Sequence, residues 1–205
     1  MGWYAERILP KIISKACSLK PNMKQREKIV PHATGDVLEV GFGSGLNLPY
    51  YDKEKVRKVF GLEPSEGMRE LAVEVIDESE LDVELIDLPG EEIPLEDASV
   101  DTVLITYTLC TIPDTAAALQ GMRRVLKPGG KLLFCEHGKA PDVDVRKWQN
   151  RVNPLWSRIA GGCNMNRDIP AIIEDAGFRI TQDERMYIPG LRILCYNYWG
   201  SAEVS

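Results

Sequence analysis

Apolar residues along this chain fall into short, near-continuous runs separated by stretches of helical periodicity. Runs at 36–41, 56–62, 83–86, 100–105 and 131–135 lack strict alternation, as strands buried on both faces do. Between them, residues 65–77 and 114–126 predict helices. Ser65 and Asp114 can cap these, and Glu66 places an acid in the first turn of the former. This β-α-β-α-β order predicts a parallel sheet covered by helices. Lys127-Pro-Gly-Gly130 reads as the turn before the fifth strand. Beyond residue 140 the pattern changes. Residues 143–159 predict a helix rich in Arg and Trp, and Asp168 caps another that ends at Gly177. Residues 178–185 and 191–198 then read as two strands. Their short connection through Ile188-Pro-Gly190 favours an antiparallel pair, which gives an otherwise parallel sheet a mixed edge.

Residues 4–33 read as helical, with breaks at Pro10, Pro21 and Pro31. Ile8, Leu9, Ile12, Ile13 and Ala16 share one face, while Arg7, Lys11, Lys15 and Lys20 lie mostly on the other. Such a helix suits a solvated surface or, as the sharper option, anionic lipid. Pro10 interrupts it, so a membrane surface is possible but not the preferred partner. The first 31 residues hold seven bases and two acids, whereas residues 63–101 hold fifteen acids and one base, Arg69. That acidic block repels phosphate backbones, so no nucleic-acid partner is expected.

The 205 residues carry a net charge of −6, with 44% hydrophobic and 27% charged, which suits one globular domain. Lys11 and Lys15 interrupt the apolar residues of 8–19, which argues against a secretory leader. Five cysteines (17, 110, 135, 163 and 195) are odd in number with no close pair, so reduced thiols and a cytoplasmic location are expected. Cys110, Cys135 and Cys195 fall in apolar runs and read as core. His32 and His137 are the only histidines and are far apart, so no metal centre is expected.

Gly41-Phe-Gly-Ser-Gly45 follows the first strand and precedes an expected helix. Glycines there let the backbone bend sharply and lie close to a ligand. Glu63 closes the second strand 22 residues after Gly41, near the roughly 20 expected of an acid that accepts both ribose hydroxyls. A dinucleotide fingerprint would place glycine where Leu46 stands. A nucleoside without a diphosphate therefore fits better than NAD.

Val37-Leu-Glu-Val-Gly-Phe-Gly-Ser-Gly45 resembles motif I of class I S-adenosylmethionine-dependent methyltransferases. Glu63-Pro64, Gly90-Glu-Glu-Ile-Pro-Leu95, Ala98-Ser-Val-Asp101 and Arg124-Val-Leu-Lys-Pro-Gly-Gly130 are similar to that family's later motifs. Gly43-Ser-Gly-Leu-Asn47, Thr108-Leu-Cys110, Cys135-Glu-His137, Asn153-Pro-Leu-Trp156, Gly162-Cys163 and Asn166-Arg167 resemble a methyltransferase-like family that includes thiol methyltransferases and bacterial small-molecule enzymes.

The resemblance implies a Rossmann-like, seven-stranded α/β fold with an antiparallel last strand. It implies a single methyltransferase domain over 1–205. Residues 1–33 would form a helical lid with Trp3 and Tyr4 near its mouth, 34–136 the cofactor-binding core, and 137–205 the acceptor-pocket helices and final strands. S-adenosyl-L-methionine would be the cofactor and S-adenosyl-L-homocysteine the product. Gly41, Gly43 and Gly45 would line its methionine half, with Asn47 and Leu48 following on the first helix, and Glu39 would also belong to the cofactor-binding set. Glu63 would hold the ribose, Pro64 and Met68 would flank the adenine, and Gly90 and Glu91 would face its edge. Pro89 stands where many members carry an Asp for the adenine amine.

Thr106 and Tyr107 end the fourth strand and would border the sulfonium and the acceptor. Tyr107 reads equally as a packed aromatic. His137, at the end of the fifth strand, reads as a general base or as a structural histidine. Cys163, Asn164, Asn166 and Arg167 read as an acceptor-pocket cluster or as a capped helix connection. Methyl transfer to a small molecule is the expected activity, with a thiol, an amine or a lipophilic hydroxyl as acceptor. A non-catalytic cofactor-binding module and a dinucleotide-dependent oxidoreductase are the rivals. Oligomeric state is left open.

Overall fold

A computed structural model describes residues 7–205, so Trp3 and Tyr4 lie outside the described residues. Two helices open the described chain: α1 (Leu9–Cys17) and α2 (Lys20–Ile29). Pro10 and Pro21 sit in their first turns, where a missing N–H costs nothing. A short 3-10 turn, Val30–His32, leads into the sheet. The prolines thus start helices as much as break them.

The strands are β1 (Gly35–Val40), β2 (Val56–Leu62), β3 (Asp82–Ile86), β4 (Val100–Thr106), β5 (Leu126–His137), β6 (Phe178–Tyr187) and β7 (Tyr196–Val204). They form one sheet in the order β3-β2-β1-β4-β5-β7-β6. β7 runs antiparallel to both neighbours, and the other pairs are parallel. The remaining helices are α3 (Glu66–Asp77), α4 (Thr115–Val125), α5 (Val143–Ile159) and α6 (Ile169–Asp175).

Side chains alternate across β1, β4 and β5 to feed two cores. Leu38, Val40, Val103, Ile105, Leu132 and Phe134 pack with Ala118, Leu119 and Met122 of α4 and Ile173 of α6. Val37, Val59, Leu104, Leu133 and Cys135 pack with Ile29 of α2 and Ala72 of α3. Burial on both faces explains the near-continuous apolar runs. The strand order reverses between β1 and β4. Ligands of open α/β sheets bind beyond the carboxyl ends of strands at such a switch point.

Four local expectations change. Residues 48–50 form a 3-10 turn, so Asn47 and Leu48 do not open an α-helix; Pro49 sits in that turn and no helix extends through it. Lys127-Pro-Gly-Gly130 lies within β5 as an irregularity, where Val100 pairs with Leu126 but Thr102 pairs with Lys131. β7 begins at Tyr196 rather than near Leu191, because residues 188–195 form a longer loop; Cys195 belongs to that loop, not to a strand. Asp168 precedes α6 without capping it, and its carboxylate accepts from Lys139 at 2.8 Å. Ser65 and Asp114 cap as expected, accepting from Met68 N and Ala117 N.

Candidate functional site

Gly41, Gly43 and Gly45 all have positive φ, of +74°, +59° and +77°. Each therefore occupies backbone space that side-chain-bearing residues rarely enter. A Cβ on Gly41 would lie 2.2 Å from Thr108 Oγ1, so the loop is pressed against the chain leaving β4. At Gly43 a Cβ would meet only the Gly41 carbonyl at 3.9 Å, which leaves that backbone open to a ligand. Glu63 closes β2 and turns back to this loop. Its carboxylate accepts from Gly43 N and from Ser65 N, each at 2.9 Å. Burial pushes its pKa up, while these two N–H groups pull the other way. An open glycine backbone beside a buried carboxylate at the switch point fits a nucleoside with a free ribose.

Beneath the loop lies a buried polar staple. Glu39 accepts from Asn47 Nδ2 at 2.8 Å and from the Tyr51 hydroxyl at 2.6 Å. Burial drives its pKa up to about 7, against the pull of those two bonds. Arg26 of α2 donates to Asn47 Oδ1 at 2.8 Å and to Thr106 Oγ1, which also accepts from Asn47 at 3.0 Å. Asn47, Thr106 and Glu39 are thus brought together, and Leu48 is core beside them. Arg26 and Tyr51 were not foreseen. An arginine in a polar helix looks solvent-facing from sequence, yet this one is 5% exposed.

Tyr107 adopts φ +56°, uncommon for a residue with a side chain. The Arg26 guanidinium lies 5.2 Å from its ring centre, and its hydroxyl donates to Asn197 Oδ1 at 2.7 Å. Burial holds that phenol well above its ordinary pKa, so it stays protonated. The adjoining backbone is pinned by Glu136, which accepts from Thr108 N at 2.6 Å and Leu109 N at 3.0 Å. Its other oxygen is buried without a partner among the described residues. His137 stacks on Tyr107 with ring centres 6.3 Å apart, and its Nε2 lies 3.2 Å from Cys163 Sγ. Burial opposes the imidazolium, yet the Cys163 sulfur and the Glu136 carboxylate raise its pKa overall.

The adenine-side residues are less convergent. Pro64 is exposed and Met68 half-buried in the first turn of α3. A Cβ on Gly90 would touch Ile112 and Val40, so this glycine serves packing at the end of β1. Glu91 accepts from Asp114 N at 3.2 Å. Above the glycine loop, Ser14 of α1 and Ser44 share a hydrogen bond of 2.7 Å, which lays α1 across the loop.

The methyltransferase-domain family model matches residues 38–134. Thiol S-methyltransferase TMT1B of Homo sapiens is 33% identical over 188 residues, 89% of this chain and 76% of that protein. The chain belongs to the class I S-adenosylmethionine-dependent methyltransferases. Another relative, methyltransferase OMS1 of Saccharomyces cerevisiae, is 27% identical, and the match spans 80% of this chain but 38% of that protein. A SAM-dependent methyltransferase from Aquifex aeolicus shares the fold at TM-score 0.63 and 22% identity, covering 94% and 97% of the two chains.

Within this methyltransferase the cysteines do not stay dispersed. Cys135 is core, its thiol pushed up to about 12 by burial. Cys110 is buried, as expected of a core residue, but its sulfur lies within 4.8 Å of the donor atoms of His137 and Cys163. Their separation in sequence hides this meeting: Cys110 follows β4, His137 ends β5, and Cys163 comes from the turn between α5 and α6. Asn164 and Arg167 serve structure there. Asn164 N donates to the Cys110 carbonyl at 2.8 Å, and Arg167 donates to the Leu109 and Ile112 carbonyls. Asn166 donates to Asn150 of α5 at 2.9 Å.

Proposed function

We propose that this enzyme methylates a small-molecule thiol. The carrying observation is the 33% identity to a thiol S-methyltransferase along 89% of the chain. S-adenosylmethionine supplies a methyl group on a sulfonium, and the loop of residues 41–45 with Glu63 would hold it. Glu63 would take the ribose hydroxyls, Gly43 would offer its open backbone, and Pro64 and Met68 would border the adenine. Glu39 and Asn47 would act from below by fixing the loop. Thr106 and Tyr107 would set the wall between cofactor and acceptor.

In-line displacement from a sulfonium needs positioning and exclusion of water more than acid–base help. α1 across the glycine loop supplies such cover. A thiol acceptor is already partly ionised near neutral pH, which lightens the demand on a base. His137 would take the remaining proton at Nε2, which has Cys163 Sγ 3.2 Å away. Five unpaired thiols among the described residues suit a reducing, cytoplasmic setting. A panel of thiols, amines and quinols with methyl-labelled S-adenosylmethionine tests the reading. The expected product is a labelled thioether. Label moving only to an amine or quinol overturns it.

A further inference from the structure

Cys110 Sγ, His137 Nε2 and Cys163 Sγ form a compact donor set from three separate parts of the fold. Cys110 lies in the turn after β4, His137 ends β5, and Cys163 follows α5. Their donor atoms all lie within 4.8 Å of one another, with sulfur and nitrogen of Cys163 and His137 at 3.2 Å. A zinc ion at about 2.3 Å from sulfur and about 2.0 Å from nitrogen in a tetrahedron needs donors roughly 3.5–3.8 Å apart. The Cys163–His137 separation of 3.2 Å falls a little short of that range, and the other separations are within 4.8 Å.

The frame does not depend on the donors touching. Asn164 ties the Cys163 turn to the Cys110 carbonyl through both its backbone N–H, at 2.8 Å, and its side chain, at 3.2 Å. Asn153 of α5 donates to Asn164 Oδ1 at 2.9 Å and accepts from Met165 N at 2.9 Å, which anchors the same turn to the helix. Cys110 is buried, while His137 and Cys163 are half-buried, so the group is framed from within and reachable from outside. His137 Nδ1 is buried without a partner among the described residues. Nothing there competes for the orientation that aims Nε2 at the sulfurs.

We propose that Cys110, His137 and Cys163 bind a soft divalent cation of the zinc type. Two thiolates and one imidazole match the preferences of such an ion, and three protein donors leave its fourth position open. This extension rests on the thiol reading: the open position takes the acceptor's sulfur. With its Nε2 lone pair on the ion, His137 no longer serves as the base: the acceptor's S–H bond breaks and the proton leaves to solvent as sulfur meets the ion. The carbon–sulfur bond to the transferred methyl then forms as the cofactor's sulfonium–carbon bond breaks, and that electron pair stays on the cofactor's sulfur.

The test is a Co2+ titration of the reduced, chelator-treated full chain, with neither cofactor nor acceptor present. One equivalent should bind, with thiolate-to-metal charge-transfer absorption and the visible bands of tetrahedral cobalt, and Zn2+ should displace it. Cys163→Ser should weaken binding by at least roughly tenfold, and Cys195→Ser should leave it unchanged. Cys110→Ser should act like Cys163→Ser if circular dichroism shows it folded; if not, the half-buried Cys163 carries the test. Absent thiolate bands in the folded wild type, or equal binding in Cys163→Ser, overturn the proposal and leave a hydrogen-bonded thiol–imidazole group. Thiol turnover without cobalt binding retires the metal site and spares the thiol reading. Cobalt binding without thiol turnover does the reverse.

Discussion

Glu63 ties the glycine loop to the start of α3, since its oxygens accept from Gly43 N and Ser65 N. Glu63→Ala should weaken S-adenosylhomocysteine binding by about 1–3 kcal/mol through lost charge-assisted hydrogen bonds. Calorimetry on the folded variant checks this, and unchanged affinity would remove Glu63 from the site. Gly41 shows a different constraint. Gly41→Ala would place a side chain at φ +74° and 2.2 Å from Thr108 Oγ1. A loss of at least ~1–3 kcal/mol in denaturant unfolding is expected from the backbone strain. Both residues were legible in sequence because glycine spacing and an acid at a strand end carry local meaning. Tyr107 was legible only as an ambiguity. Arg26, Tyr51 and Asn197 were not legible, because each acts through a partner that only the folded sheet brings near.

At the scale of elements, the staple under the glycine loop joins β1, the segment after the loop, α2 and β4. Glu39 has a folded pKa of about 7 against an ordinary 4.5. The folded state therefore holds this proton more tightly than the unfolded chain does. Stability from this group is fullest below about pH 4.5, declines as pH rises toward 7, and is level above that. Glu39→Gln should remove that decline, so the stability difference between variant and wild type should change across this window and nowhere else. Denaturant unfolding at a series of pH values measures it. Gln149 of α5 plays a comparable part elsewhere: fully buried, it serves Ala140 N and the carbonyls of Gly138, Met165 and Ile193. Gln149→Leu should cost roughly 3 kcal/mol in the same measurement, because several buried groups lose their partner together. β1 and β4 were readable because burial on both faces marks them, and α3 and α4 because Ser65 and Asp114 cap them. The helix after the glycine loop and the start of β7 were misread. Pro49 and the loop of residues 188–195 act through backbone geometry that hydrophobic pattern does not record.

For the whole molecule, the mixed sheet gathers the ends of β1, β2, β4 and β5 along one edge, and α1 lies across it. The acidic block and the basic N-terminal segment, opposed in sequence, meet here: Arg7 of the segment before α1 pairs with Glu70 of α3 at 3.3 Å. Such exposed pairs contribute little individually, so ligand binding should dominate any change in global stability. S-adenosylhomocysteine at a hundredfold excess over its Kd should stabilise the fold by about 2.7 kcal/mol, raising Tm by roughly 5–10 °C. Thermal melts with and without the nucleoside, with NAD as a control, check this, and NAD should have no effect.

A crystal grown with S-adenosylhomocysteine tests the account most directly. The account predicts density for the nucleoside between Gly43 and Glu63, its ribose hydroxyls on the carboxylate and its sulfur directed toward Tyr107 and His137. A nucleoside bound elsewhere, or that crevice left empty at saturating ligand, would contradict it.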